Sequence, residues 1–255
     1  SDHLWKDTNF AAETVLETKH LNQKDFITIP SAELHCLGKK YVKDGLWHIV
    51  ANGLPLDFKC ADEKETAPRL VQRAIEAGAF VTIAHPEWYS LTFDECLSLS
   101  HAHGIEIYNH SCHIEAQRGF GTAAADYLLQ ENNRIFLTAT DDSHFKMQDS
   151  GGGWVMVAAD KLSESSILNA LKNGQYYSST GVEIFEFEIN NYQVNIQCSP
   201  SNQVCVVGQG AKSMSQNGKN ITQAEFDLKK YPSDWFRVSI ANDSGDFAWT
   251  NPVWL

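Results

Sequence analysis

The stretch RIFLTATDDSH, residues 134–144, decides how this chain is read. Its first half is apolar and β-branched, long enough for a buried strand. Its second half places Asp141, Asp142 and His144 where that strand must stop. In parallel α/β barrels, functional groups gather at the carboxyl ends of different strands, on one face. Other apolar runs in the chain finish in a similar way. FVTIAHPEW (80–88) ends on His85, with Pro86 fixing the turn, and IEIYNHS (105–111) ends on Asn109 and His110. FITIPSAEL (26–34) ends on Glu33, with His35 just beyond it. LWHIVANGL (46–54) is the exception, because His48 stands near its front. Either the strand there is the stretch before His48, or His48 enters from a turn.

Taken singly, a His or Asp at a strand end is a cap or a solvated loop residue, and DDSH reads equally as an Asx-turn followed by an exposed His. Five such runs in series point to a metal site. The available donors are imidazole and carboxylate without paired thiolates, the ligand set of hydrolytic zinc, manganese or iron centres. An ion of that kind lowers the pKa of bound water to about 7. His20, His101 and His103 lie on helical stretches and read as solvent-facing. Asn109, His110 and His113 either line the mouth of a pocket or cap a helix around residues 114–130.

Between the apolar runs lie helices with recognisable ends. Thr66 and Pro68 open TAPRLVQRAIEAG, closed by Gly78. Thr92 and Glu95 form a capping box for the run closed by Gly104, and Ser163 caps a helix that stops at Gly174. Apolar strands alternating with amphipathic helices from residue 26 to about 160, the run GWVMVAA (153–159) included, predict a parallel sheet with helices outside. After Gly181 the pattern changes to alternating β runs: EIFEFEIN, YQVNIQCS, VCVVG and FRVSIAND. QNGKN carries an Asn-Gly hairpin signal at Asn217 and Gly218. A short helical turn is expected near TQAEFDLKKY. The division is therefore residues 1–182 as one domain and 183–255 as a small antiparallel β domain, with no flexible linker between them.

The chain has 255 residues and a formal net charge of −12. With no Lys/Arg-rich run, that balance argues against a nucleic-acid backbone as the main partner. No apolar stretch approaches the ~18 residues of a membrane span. The six cysteines form no CxxC pair. Cys198 and Cys205 are near enough in sequence for a disulfide, which sequence alone does not decide. The compartment, cytoplasmic or exported, stays open, as does the oligomeric state.

SDH (1–3), IPSAEL (29–34), HIVANGL (48–54), IAHPEW (83–88), IEIYNH (105–110) and ATDDSH (139–144) resemble, in order and spacing, the PHP (polymerase and histidinol phosphatase) family. GWVMVAADKLSESSILNALKNGQYYSSTGVEI and the final AWTNPVWL resemble its CehA/McbA branch, which includes carbaryl hydrolase and carries a β domain after the barrel. The resemblance implies a distorted (β/α)7 barrel followed by an antiparallel, sandwich-like β domain. It implies a metal-dependent hydrolase, chiefly of phosphoesters, whose nucleophile is a metal-bound hydroxide rather than a side chain. Its substrate would be a small-molecule phosphoester or related ester. Glu33 resembles the carboxylate bridging two metals, and His48 and His85 its partners at one of them. Asp142 resembles a ligand of the second, and His3 and His144 ligands of a third. Asn109 and His110 would touch substrate. The cofactors implied are divalent Zn, Mn or Fe, up to three in the family.

The family pattern begins with a strand ending in a His-x-His pair, and none stands upstream here. The expectation is that Ser1-Asp2-His3 is the end of a strand cut away with the first β-α unit, leaving an incomplete barrel that holds fewer metals. Two other readings compete. One is a barrel depleted of catalytic metals that serves as a binding or regulatory module. The other is a different hydrolase acting on carbamates or amides. An amidohydrolase-type centre would want a carbamylated Lys or a His ligand at a mid-barrel strand end, and none of the runs ends on a Lys.

Overall fold

The computed structural model describes residues 2–5, 11–12, 15–39, 45–131 and 133–255, and every structural statement here concerns them. Two sheets and five α-helices account for the architecture. The first sheet has seven strands: β1 (Asp2–Leu4), β2 (Ala11–Ala12), β3 (Ser31–Leu37), β4 (Leu46–Asn52), β5 (Phe80–Ile83), β6 (Gly104–Asn109) and β7 (Phe136–Thr140). They lie in the order β2-β1-β3-β4-β5-β6-β7. Pairing is parallel except on both sides of β4, which runs against its neighbours. Among the described residues the sheet does not close on itself, so the coarse architecture is mixed α/β with a parallel-rich sheet.

The helices between these strands follow their sequence signals closely at the start and less closely at the end. α1 (Ala67–Glu76) begins with Pro68 in its first turn, where a missing N–H costs nothing, and buries Leu70, Val71 and Ala74. Gly78, at φ +96°, makes the exit turn. α2 (Phe93–Ser98) has the expected capping box between Thr92 and Glu95 but stops well before Gly104. The helix expected around 114–130 is two. α3 (His110–Ala116) ends at Gln117 in the left-handed conformation, and α4 (Thr122–Gln130) restarts after Gly121. Gly121 lies against the backbone of Glu106, where a Cβ would come within 1.9 Å of the carbonyl oxygen. The break between α3 and α4 lets the chain pass this close to β6.

The second sheet is antiparallel and has eight strands. β8 (Trp154–Val157), α5 (Glu164–Lys172, capped by Ser163) and β9 (Tyr176–Ser179) lead into β10 (Ile184–Asn190) and β11 (Gln193–Gly208). β12 (Ser213–Asp227), β13 (Trp235–Ala241), β14 (Phe247–Thr250) and β15 (Val253–Trp254) complete it. The run 153–159 therefore does not extend the parallel sheet: β8 pairs with β9, which pairs with β14. The antiparallel sheet thus draws two strands from before residue 183.

Two further expectations are corrected in this sheet. The Asn-Gly pair at 217–218 makes no hairpin, because β12 runs through it. Its register against β11 shifts between Gln203↔Asn217 and Ser201↔Ile221, so the extra residues bulge out, with Asn220 at φ +53°. The hairpin turn between β10 and β11 is instead Asn191-Tyr192, both at positive φ. The TQAEF segment belongs to the same long strand rather than to a helical turn, since Ile221, Ala224 and Phe226 are buried against the sheet core. Cys198 and Cys205 are both free thiols, as are the other four cysteines.

The sheets are joined by buried polar and apolar contacts. Asn251 accepts from the Leu137 backbone N–H and donates to the carbonyls of Gly174 and Tyr176. Arg237, almost fully buried, makes a two-pronged ion pair with Asp126 on α4, both bonds 2.9 Å. Trp235 and Trp249 pack into the same core as the first sheet.

Candidate metal centre

Strand direction explains how His48 reaches the site. Because β4 runs antiparallel to β3 and β5, its amino end lies with their carboxyl ends. His48 sits opposite His35, and Ile49 opposite Ile83, two residues before His85. Neither alternative drawn from sequence applies, since His48 is the third residue of a regular strand. Glu33 also departs from expectation. Pro30 cannot donate to a ladder, so the strand begins at Ser31 and Glu33 is inside it, facing across to His3 on β1.

The Glu33 carboxylate is 4% exposed and stands at the centre of four imidazoles. Oε1 is 2.7 Å from His48 Nδ1 and 3.2 Å from His85 Nε2. Oε2 is 3.2 Å from His3 Nδ1 and 3.8 Å from His35 Nε2. Two sets of donors result, His3–Glu33–His35 and Glu33–His48–His85, each with its ligand atoms within 4.8 Å of one another. These buried groups have the make-up and spacing to hold a metal ion.

Donor chemistry tests the fit. His35 Nδ1 lies 3.1 Å from the Trp47 carbonyl, which can only accept, so Nδ1 carries the proton and the Nε2 lone pair faces His3. His144 Nδ1 lies 2.8 Å from the Asp142 carbonyl, which leaves its Nε2 lone pair facing His3 Nε2 at 3.3 Å. The two backbone-anchored rings thus turn their lone pairs to the two nitrogens of His3, His35 at Nδ1 and His144 at Nε2. His85 Nδ1 is buried without a hydrogen-bond partner. The His85 backbone is held at φ +21°, a sparsely populated region, by its N–H donating 2.7 Å to Glu106 Oε2.

The electrostatics follow from crowding these groups away from water. Burial would raise the Glu33 carboxyl, but hydrogen bonds from His48 and His85 and the charge of the imidazoles outweigh it, holding the group well below the usual carboxylate range. Burial pushes His35 down to about 4, and Glu33 opposes this only in part. His48 is lowered for the same reason. At His85 burial is overcome by Glu33, with Glu106 and Asp142 adding to it, and the ring is pushed up to about 9. In the absence of an ion, His85 thus keeps a proton at neutral pH.

The remaining expected residues are placed as follows. Asp142, at φ +51°, accepts from Asn109 Nδ2 at 3.1 Å and belongs to neither donor set. His144 sits at the exposed side beside His3. Its loop is tied down by Asp149, which accepts from Ser143 Oγ and from the N–H groups of His144 and Phe145. Asn109 caps α3 through Cys112 N–H and also donates to Glu106. His110 turns aside, its Nδ1 3.1 Å from the Tyr108 hydroxyl. His20 and His101 are exposed as expected. His103 is not: it stacks on Phe80, and its Nδ1 accepts from Val81 N–H.

Two participants have no role assignable from the sequence. His35 stands just past Glu33 with no signal of its own. Glu106, buried on β6 and pushed up to about 7 by burial with Asp142 adding to it, falls within an apolar run. A Glu between two isoleucines in a strand buried on both faces was the signal for it. Trp88 and Tyr89 wall the site, their rings 5.1 Å and 5.4 Å from His85. Compared with family models and with curated protein sequences, the chain matches none.

Proposed function

We propose that this chain is a metal-dependent hydrolase of small-molecule phosphoesters, of the PHP type, and that its seven-stranded sheet is the framework of a distorted (β/α)7 barrel. The observation that carries the reading is the Glu33 carboxylate with two imidazoles at each oxygen and no thiolate among them. A divalent zinc, manganese or iron ion bound there supplies a Lewis acid and makes hydroxide available at neutral pH.

The chain's own residues have separate tasks. Glu33, ionised, is the anionic ligand that both donor sets share. His48 and His85 hold at Oε1, and His3 and His35 hold at Oε2. His144, at the exposed side, faces the approach of substrate, with Asp142 the further carboxylate at the same strand ends. Glu106 fixes the His85 backbone and the Asn109 amide. Trp88 and Tyr89 keep water from the buried side. The net charge of −12 and the lack of basic runs favour a small ester over nucleic acid.

The test is hydrolysis of p-nitrophenyl phosphate and bis(p-nitrophenyl) phosphate by chelator-stripped protein resupplied with Mn²⁺, Zn²⁺ or Fe²⁺. Activity should return with metal and be absent in Glu33→Gln and His85→Ala. Metal uptake without turnover of either ester would sink the phosphoesterase reading. Turnover of carbamate or amide esters in its place would move the substrate class while keeping the centre.

A further inference from the structure

Between the two sheets lies a cleft of about 410 Å³, within the size range of small-ligand sites. Its walls come from α3 and the loop after it, from the glycine loop at 150–152, and from the turn leading into β14. Three aromatic rings line it: Tyr108, Phe120 and Phe247. Phe120 stands nearly perpendicular to both others, at 65° and 5.3 Å to Tyr108 and at 81° and 5.9 Å to Phe247. Trp249 backs them, stacked on Phe247 at 5.3 Å. Asp246 supplies a carboxylate at the rim, held from behind by the Asn242 amide at 2.8 Å. No Lys or Arg lines the cleft among the described residues. His110 and His113 complete it, and His113 Nδ1 is buried with no hydrogen-bond partner.

Rings set at steep angles around a space, with a carboxylate and no cation, form the surroundings that attract an organic cation. The ring faces are negative, and a desolvated ammonium gains from each. The local potential agrees: after burial, the charges of Asp141 and Asp246 are what raise the Tyr108 phenol above its ordinary range.

We propose that this cleft binds an alkylammonium group, held among the Tyr108, Phe120 and Phe247 rings and by the Asp246 carboxylate. That the group is one end of the ester substrate rests on the hydrolase reading above. Tyr108 and His110, which line the cleft, flank Asn109, whose amide contacts Glu106 and Asp142.

Choline, titrated into the chelator-treated full chain at about pH 8, above the ordinary histidine range, is the probe. Calorimetry reports binding without any turnover, and intrinsic tryptophan fluorescence follows it. The neutral isostere 3,3-dimethylbutan-1-ol is titrated in parallel. Choline is expected to bind saturably and about tenfold tighter than the isostere, and Asp246→Asn to remove most of that difference. Absent choline binding, equal binding of the isostere, or an unchanged preference in Asp246→Asn would each overturn the proposal. Choline binding in a protein that hydrolyses no ester would leave this site standing and sink the hydrolase reading. Phosphoester hydrolysis without choline binding would do the reverse.

Discussion

Metal affinity at the Glu33–His48–His85 set should rise steeply with pH, and the size of the rise follows from one ring. An ion needs an ionised carboxylate and neutral imidazoles. Glu33 is already ionised near neutrality, and burial keeps His48 below its ordinary value, so neither releases a proton. His85, pushed up to about 9, must lose one. At pH 7 only about 1% of that ring is neutral, so apparent affinity should be about 100-fold below its value at high pH, or about 2.7 kcal/mol. The logarithm of the binding constant should climb by about one per pH unit between 7 and 9 and then level off. Calorimetry with Mn²⁺ in buffers of different ionisation heat measures both the constant and the protons released. About one proton should leave per ion at pH 7. A flat affinity from pH 7 to 9, or no proton released, would refute the reasoning that Glu33 and its neighbours hold a proton on His85.

Further outcomes follow from the packing. In the metal-free protein the raised His85 contributes stability that is fully present below its ordinary value near 6.5 and is lost as pH rises through about 9. Melting temperature should therefore fall across that window, and saturating metal should remove the fall. Gly121→Ala drives a Cβ into the Glu106 carbonyl and should cost about 3 kcal/mol in denaturant unfolding. Arg237→Ala removes both bonds to Asp126; because Asp126 is partly exposed, the loss should be about 2 kcal/mol, read from the urea midpoint. Thr92→Ala breaks the capping box of α2 and should cost about 1 kcal/mol by the same measurement.

How much of this was legible in the sequence is clearest from His48. Alternating apolar residues announce a strand but carry no information about its direction, and one reversed strand brought an apparent exception to the Glu33 carboxylate. The same limit hid the destination of residues 154–157, whose apolar pattern is the same in either sheet; pairing with β9 and β14 decided it. Local chemistry read well wherever a short signal fixes the geometry, as with Pro68, the Thr92–Glu95 box and Ser163. It failed at Asn217-Gly218, where long-range pairing with β11 on both sides absorbed the turn as a bulge. The ligand types were visible one by one, whereas the second face of the centre was not. His35 shows its role only once the Trp47 carbonyl fixes its tautomer, a contact set by strand register.

The most direct test of the central claim measures metal content and phosphoester turnover on the same samples as Mn²⁺ is restored to stripped protein. Turnover of bis(p-nitrophenyl) phosphate should rise in step with occupancy, and Glu33→Gln should lose both together. Full occupancy with no turnover, or turnover that persists in Glu33→Gln, would contradict the account.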